Sequence, residues 1–376
     1  MKLLVNIIRV LVGLLFIFSG LVKANDPLGL AYKMEEYFEL WNLAALNSIA
    51  LWLSIIVIAF EIIAGVALLL GWQMRLFSWL LLLLIIFFTF LTGYAYFSGK
   101  FTNCGCFGDC IPITPKTSFL KDVVLTVLIV FLFANRKNIR PVASNTATLL
   151  AMLLATIFSF GIQWYVLNYL PVFDCLPYKK EKNISKQMQI PEGSLPDSIA
   201  VVFVYEKEGK QYEFTPAGLP ADLASYKFVK RKDKLIRKGN AEPPIKGFVL
   251  SGITDQDSTQ HVLSQPYTVL LFCQNFSTPV SKWKADFEKL YAVAKEKNIP
   301  VFAITTQPSE ARKNFAGTSF SDIQIFKCDF TAIRTAARAN PTVYLLQSGT
   351  IEDKQSYRRM DRVTNELKRF PVLQRQ

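Results

Sequence analysis

The stretch Phe101-Thr102-Asn103-Cys104-Gly105-Cys106-Phe107-Gly108-Asp109-Cys110 is a short polar island between long apolar runs, and it carries three of the chain's six cysteines. Leu76 to Phe97 precedes it and Ser118 to Phe133 follows it, both strongly apolar. Further out lie Leu3 to Val22, Ser48 to Leu70 and Ala147 to Leu170. A helix needs roughly 20 apolar residues to cross a bilayer, so the pattern predicts five membrane-spanning helices, with the cysteine run in the loop between the third and fourth.

Charge divides the chain in two. Up to Pro171 there are 11 Lys/Arg against 7 Asp/Glu, and after it 31 against 22, within a net charge of +13. The second half has the mixed, charged composition of a water-exposed domain. Its basic excess is spread rather than gathered on one face with interleaved aromatics, which argues against nucleic acid as a partner and for a surface resting near anionic lipid.

Lys and Arg in short loops are retained on the cytoplasmic side. Lys2 and Arg9, then Arg75, then Arg136, Lys137 and Arg140 fall on one side only if there are five spans and the N-terminus is inside. Asp26, Glu35, Glu36 and Glu39 then lie outside, as do the cysteine loop and everything after Pro171. Val22-Lys23-Ala24 also has the small residues of a signal-peptide cleavage site, and cleavage there would leave every later segment where it is.

By this topology Cys104, Cys106, Cys110, Cys175, Cys273 and Cys328 all lie outside or at the outer membrane edge, where disulfides are chemically permitted. A zinc site is poorly served: the CxC spacing is unusual, the single histidine, His261, is distant, and Cys175 would have to complete the ligand set. Disulfides suit the spacing better. Cys175 follows the fifth span closely, so four cysteines meet at one membrane face, with three ways to pair. A Cys104–Cys106 bond would close a small, exchangeable ring. A permanent staple between the loop and the Cys175 segment is the alternative.

The CGCFG run, Cys104 to Gly108, in a loop between the third and fourth spans, resembles the methylamine-utilisation MauE family. Arg9, Gly13, Phe16, Ser19, Gly20 and Lys23, with Glu61, Gly65 and Gly71, resemble the related DoxX group. The resemblance covers about Met1 to Phe133. It implies a four-helix membrane bundle engaged in thiol and disulfide handling outside the cytoplasm, often beside a thioredoxin-like partner. Cys110 and Cys175 rest on the position argument alone.

Glu61 lies inside the second span, where an acid is costly and a functional candidate by default. An ion pair with Arg9, fixing helix register, is the preferred reading, with a proton relay as the alternative.

Beyond Cys175, Ile199 to Tyr205 and Gln211 to Phe214 predict a hairpin turning at Gly209, and Lys227 to Lys232 with Lys234 to Lys238 a second. Tyr267 to Cys273 reads as a buried strand, Val280 to Asn298 as a helix and Pro300 to Thr305 as a second strand. These alternating elements suggest a parallel sheet. A strand follows at Ile323 to Phe326 and a helix around Ala332 to Arg338. Asn340-Pro341-Thr342-Val343-Tyr344-Leu345-Leu346 with Ser348-Gly349 resembles the thioredoxin fold's cis-proline and hairpin, and the resemblance runs from about Pro244 to Gln376, reaching the TlpA-like branch. Where that family's dithiol opens its first helix, this chain reads Ser277-Thr278-Pro279-Val280, so thiolate chemistry at that place is lost. Cys273 and Cys328 read as buried apolar side chains.

The expected organisation is a four-helix bundle over 1–135, a cytoplasmic loop and fifth span over 136–171, a β-rich segment over 172–243 and a thioredoxin-like domain without its dithiol over 244–376. The expected function is thiol–disulfide redox handling at a bacterial inner membrane. In it Cys104 and Cys106 exchange with an extracytoplasmic protein thiol or a thioredoxin-like partner, Cys110 or Cys175 resolves, and electrons pass to that partner or to a quinone in the bundle. Asp109 beside the thiols would raise their pKa and slow them. The alternative is an assembly protein whose disulfides are structural and whose outer domain binds a partner.

Overall fold

The computed structural model describes residues 2–374 apart from 102–104, 106, 197, 238 and 253–254. Helices α1 (Lys2–Ala24), α2 (Pro27–Leu40), α3 (Ala50–Leu70), α4 (Met74–Ser98), α5 (Pro115–Ala134) and α6 (Asn145–Tyr169) form the first half. All but the short α2 are long and apolar enough to span a bilayer, and the third-span-to-fourth-span loop is the cysteine run.

Local sequence sets the helix ends. The Asp26 side chain accepts from Gly29 N–H, with Pro27 opening α2. Thr114 does the same for α5 ahead of Pro115, and Ser144 for α6. Each side chain satisfies an orphan N–H of the first turn.

The bundle is two tight antiparallel pairs. α1 packs on α3 and α4 on α5, while the pairs meet one another less closely. Small residues permit the first contact: a Cβ added at Gly65 would come within 2.8 Å of Gly13 O, and one at Gly20 within 2.6 Å of Ile62 Cγ1. Close backbone approach of this kind is how helices gain packing energy where lipid removes the hydrophobic drive. α6 lies against the outside of α3.

The outer half begins with α7 (Ile184–Gln187) and a three-stranded antiparallel sheet of β1 (Ser198–Lys207), β2 (Lys210–Phe214) and β3 (Lys227–Arg237), in the order β2-β1-β3. The first predicted hairpin is present, with Gly209 at φ +75° in its turn. The second is not. Asp233, which would have been its turn, pairs with Val201 in the ladder, so 227–237 is one strand along β1.

The remaining elements are α8 (Thr259–Leu263), β4 (Tyr267–Cys273), α9 (Lys284–Glu296), β5 (Val301–Thr305), α10 (Pro308–Phe315), β6 (Gln324–Lys327), α11 (Phe330–Ala336), β7 (Thr342–Gln347), β8 (Thr350–Ser356) and α12 (Met360–Arg369). The helix expected from Val280 starts later: Val280–Lys282 is a single 3-10 turn ahead of α9. The sheet order is β6-β5-β4-β7-β8, with β4, β5 and β6 parallel and β7 and β8 antiparallel.

Successive side chains of a strand point to opposite faces, and β4 is buried on both, which is why it reads as an unbroken apolar run. Val269 and Leu271 face Phe287, Leu290 and Val363 on one side. Leu270 and Phe272 face Phe248, Ile333 and Tyr344 on the other. The Asn340–Pro341 peptide at the head of β7 is cis. This three-layer arrangement is a thioredoxin-like fold.

Candidate functional site

Cys110 and Cys175 are joined in a disulfide with 4.8 Å between their Cα atoms. Of the three pairings open to the four membrane-edge cysteines, two are thereby excluded. Cys104 and Cys106 lie outside the described residues. Gly105 and Gly108 both have positive φ, and Gly108 N–H closes a turn on Gly105 O at 3.0 Å. Glycine adopts that backbone without a Cβ penalty.

The Cys175 segment is seated by Asn25, at the end of α1. The Asn25 amide donates to Phe173 O at 2.8 Å and accepts from Phe173 N–H at 2.9 Å. Its Nδ2 also lies 3.8 Å from Cys110 Sγ. Cys175 is exposed and Cys110 half-buried.

The outer domain sits on this loop. Arg338, three residues before cis Pro341, is buried, and its guanidinium donates through Nε to Asp26 at 2.8 Å, through Nη2 to Asp109 at 2.7 Å and through Nη1 to Arg334 O at 2.6 Å. Arg334 pairs with Glu35 and stacks over the Tyr32 ring at 3.4 Å. On the other side of the disulfide, Lys354 bonds Asp174 at 2.5 Å and donates to Tyr178 O at 3.0 Å. Arg359 reaches Tyr165 OH at 3.1 Å, near the end of α6.

Burial raises the Asp26 carboxyl above its ordinary value, with Arg338 offsetting part of the rise and Asp109 adding to it. Burial also works to lower the Arg338 guanidinium, but Asp26, Tyr32 and Asp109 hold it above its usual value. Asp109, next to Cys110 in sequence, thus has its charge paired with Arg338.

Between the two halves lies a cleft of about 470 Å³, lined by Tyr32, Glu35, Asp109 and Cys175 from below and by Phe330, Arg334 and Arg338 from above. The disulfide therefore meets solvent through a polar, charged opening. The outer domain's own cysteines do not: Cys273 and Cys328 are buried, and burial pushes the Cys328 thiol up to about 12 and that of Cys273 higher still. At the place of the missing dithiol, Asn275 accepts from the Ser277 hydroxyl at 2.6 Å and from the Asn340 amide at 2.7 Å. A tight polar knot stands beside Pro341 in place of thiols.

Inside the bundle the predicted Arg9–Glu61 pair is absent. Glu61 pairs with Lys23, both fully buried, and accepts from the Ser19 hydroxyl at 3.1 Å. Arg9 instead donates to Arg140 O at 3.4 Å, beside the Gly71 turn. The reason is register. α1 and α3 are antiparallel with Gly20 beside Ile62, so Arg9, 11 residues before Gly20, lies roughly 16 Å further along the axis, given the helix rise per residue. Asp122 on α5 is a second buried acid, accepting from Thr92 at 3.0 Å and lying 2.8 Å from Lys121 Nζ. The rule that singles out Glu61 applies equally to Asp122, so that residue was within reach of the sequence. Arg338 and Arg334 carried no such signal.

Fold and site together define a multi-pass membrane protein: a helical bundle with a cysteine loop, bearing a thioredoxin-like domain that lacks its dithiol. Residues 1–135 match the family model of methylamine utilisation protein MauE, and residues 199–238, which make up the three-stranded sheet, match a domain of unknown function, DUF8463. The chain is 34% identical over 160 residues to Protein TlpB of Flavobacterium psychrophilum, a match covering 40% of this chain and 42% of that relative. Among solved structures it is similar to yeast Sco1, at 14% identity and a TM-score of 0.26 over 34% of this chain and 96% of that one. The copper-bound form gives 15% and 0.25 over 35% and 97%.

Proposed function

We propose that the protein carries out thiol–disulfide exchange on the outer face of a bacterial cytoplasmic membrane, with its N-terminus inside and its cysteine loop and outer domain in the periplasm. The loop charges support that orientation. The observation that carries the reading is the Cys110–Cys175 disulfide, whose exposed Cys175 lines the interdomain cleft.

A thiolate of an extracytoplasmic protein attacks Cys175 Sγ, forming a mixed disulfide and releasing the Cys110 thiolate near the Asn25 amide. The substrate's second thiol then attacks its own bridging sulfur and releases Cys175. The substrate loses two electrons and two protons and gains a disulfide, and Cys110 and Cys175 become thiols. A disulfide between Cys104 and Cys106, the pair that the bond leaves over, reoxidises them by the same exchange and becomes a dithiol in turn, and the disulfide of a separate thioredoxin-like partner is a second route. The outer domain positions the substrate and contributes no thiol. The chain's similarity to the MauE family model and to Protein TlpB fits this reading.

The test is trapping with Cys110→Ser protein, in which Cys175 cannot be resolved internally. The Cys175 thiolate should attack a disulfide-bonded peptide dimer, displacing one peptide as a thiol and leaving a mixed disulfide through Cys175 that Cys110 is no longer there to resolve. The ion pairs braced around the disulfide favour a second reading, a structural staple in an assembly protein. It predicts no trapped species and a bond that survives mild reductant.

A further inference from the structure

Each cysteine of the membrane-edge disulfide follows an aspartate: Asp109-Cys110 in the loop and Asp174-Cys175 after α6. The two aspartates reach different cations of the outer domain. Asp109 pairs with Arg338 at 2.7 Å and Asp174 with Lys354 at 2.5 Å, and those cation side chains are only 5% and 11% exposed. Arg338 follows α11 and Lys354 lies on β8, so the two contacts bracket β7 in sequence. One covalent bond, joining positions 65 residues apart, makes a single two-pronged receptor of the two carboxylates. Contacts on one joined unit reinforce each other, because seating the first brings the second within reach. With the bond cut, the prongs stand on separate segments. Asn25 still clasps Phe173 and so steadies the Asp174 prong, while the Asp109 prong loses its tie to that clasp. A desolvated cation left without its partner is costly, so a prong that drifts weakens the docking of its cation.

We infer that the redox state of Cys110 and Cys175 controls how firmly the outer domain docks: the bonded protein is closed over the cleft, and the reduced protein loosens it. The inference rests on the exchange reading above for what opens the bond. In that exchange the substrate dithiol gives two electrons and two protons, the Cys110–Cys175 bond becomes two thiols, and the substrate leaves as a disulfide. Loosening at that moment widens the cleft around the oxidised product, because Arg334 and Arg338 line its upper wall and Asp109 and Cys175 its lower one. Reoxidation rejoins the prongs and closes the domain over the next substrate. A staple serving the loop alone has no use for two flanking acids that both cross to the other domain.

The experiment measures amide hydrogen exchange, which reports local opening, on the full chain in lipid nanodiscs. Oxidised wild-type protein is compared with the Cys110→Ser, Cys175→Ser double variant. Peptides of α2 and α11 should exchange about tenfold faster in the variant, less than the roughly hundredfold that joining two contacts can add, because Asp26 and Glu35 hold Arg338 and Arg334 with or without the bond. Peptides of β4 and β5 should exchange at the same rate in both. Wild-type protein treated with a phosphine reductant should change in the same way, so the result does not depend on how the variant folds. Equal protection of α2 and α11 in the bonded and opened forms overturns the inference. Protection lost equally in β4 and β5 also overturns it, since the bond would then hold the fold rather than the docking. The double variant performs no exchange chemistry, which separates the two readings. If docking loosens as expected and Cys175 traps no substrate, the exchange reading fails while the switch stands. If Cys175 traps substrate and docking is the same in both forms, only the switch fails.

Discussion

Two kinds of cysteine occur among the described residues. Cys110 and Cys175 are bonded at the mouth of a charged cleft, while Cys273 and Cys328 are thiols sealed in the apolar layers of the sheet. The thioredoxin-like domain keeps its strand order and its cis proline and has exchanged its dithiol for a knot of Asn275, Ser277 and Asn340. In the proposed exchange, the cysteine loop and the segment after α6 supply the reactive sulfurs and the outer domain supplies the surface above them. Reactivity therefore follows surroundings rather than fold: burial keeps a thiol protonated, and access admits a partner.

The largest expected effect breaks that contrast by chemistry. After reduction of the full-length protein, maleimide should label Cys110 and Cys175 at pH 8 on the order of a thousandfold faster than Cys328. The Cys328 thiol is held near 12 and is also buried, whereas Cys175 is exposed and Cys110 half-buried. Equal rates, read by mass spectrometry of the labelled peptides, would erase the distinction.

The second breaks the contact between the two regions. Arg338→Ala strands the buried Asp26 and frees Asp109, and losing one partner of a buried pair costs about 3 kcal/mol. Limited proteolysis should then cut the segment between α6 and α7 far sooner. A docked, protected outer domain in Arg338→Ala protein would refute the latch.

A comparable effect is expected within the bundle. Lys23→Met alone leaves Glu61 uncompensated and should cost about 3 kcal/mol, whereas Lys23→Met with Glu61→Leu should recover most of it. Thermal unfolding in detergent checks both. Failure of the double variant to recover would mean that the pair does more than balance charge.

The smallest is Thr114→Ala, which removes the cap of α5 just beyond the cysteine loop and should lower stability by about 1 kcal/mol while leaving exchange intact.

Much of the architecture was legible because its signals are local. Apolar length marks membrane helices, and β4 is apolar throughout because both its faces are covered. The site was legible only in part. Cys110 and Cys175 could be placed at one membrane edge by topology, but their bond is one of three pairings that spacing cannot rank. The partner of Glu61 depends on how two helices slide past each other, and Gly20 and Gly65 fix that register only once the helices are in contact. Arg338 is the clearest miss: nothing in Ala336-Ala337-Arg338-Ala339 announces that its side chain crosses to Asp26 and Asp109, more than 200 residues away in sequence. The β3 error has the same origin, since a charged 11-residue strand is stabilised by its ladder with β1 rather than by its own pattern.

The central claim is that the Cys110–Cys175 disulfide works from the cleft. Its most direct test is the rate at which that bond opens when full-length protein in nanodiscs meets an equimolar reduced dithiol peptide, followed by acid quench and mass spectrometry of the Cys110 and Cys175 peptides. The account predicts opening within seconds, with one peptide disulfide formed per bond lost and Cys273 and Cys328 unchanged. A Cys110–Cys175 bond that stays closed for hours in excess peptide, in protein whose outer domain remains docked, would contradict it.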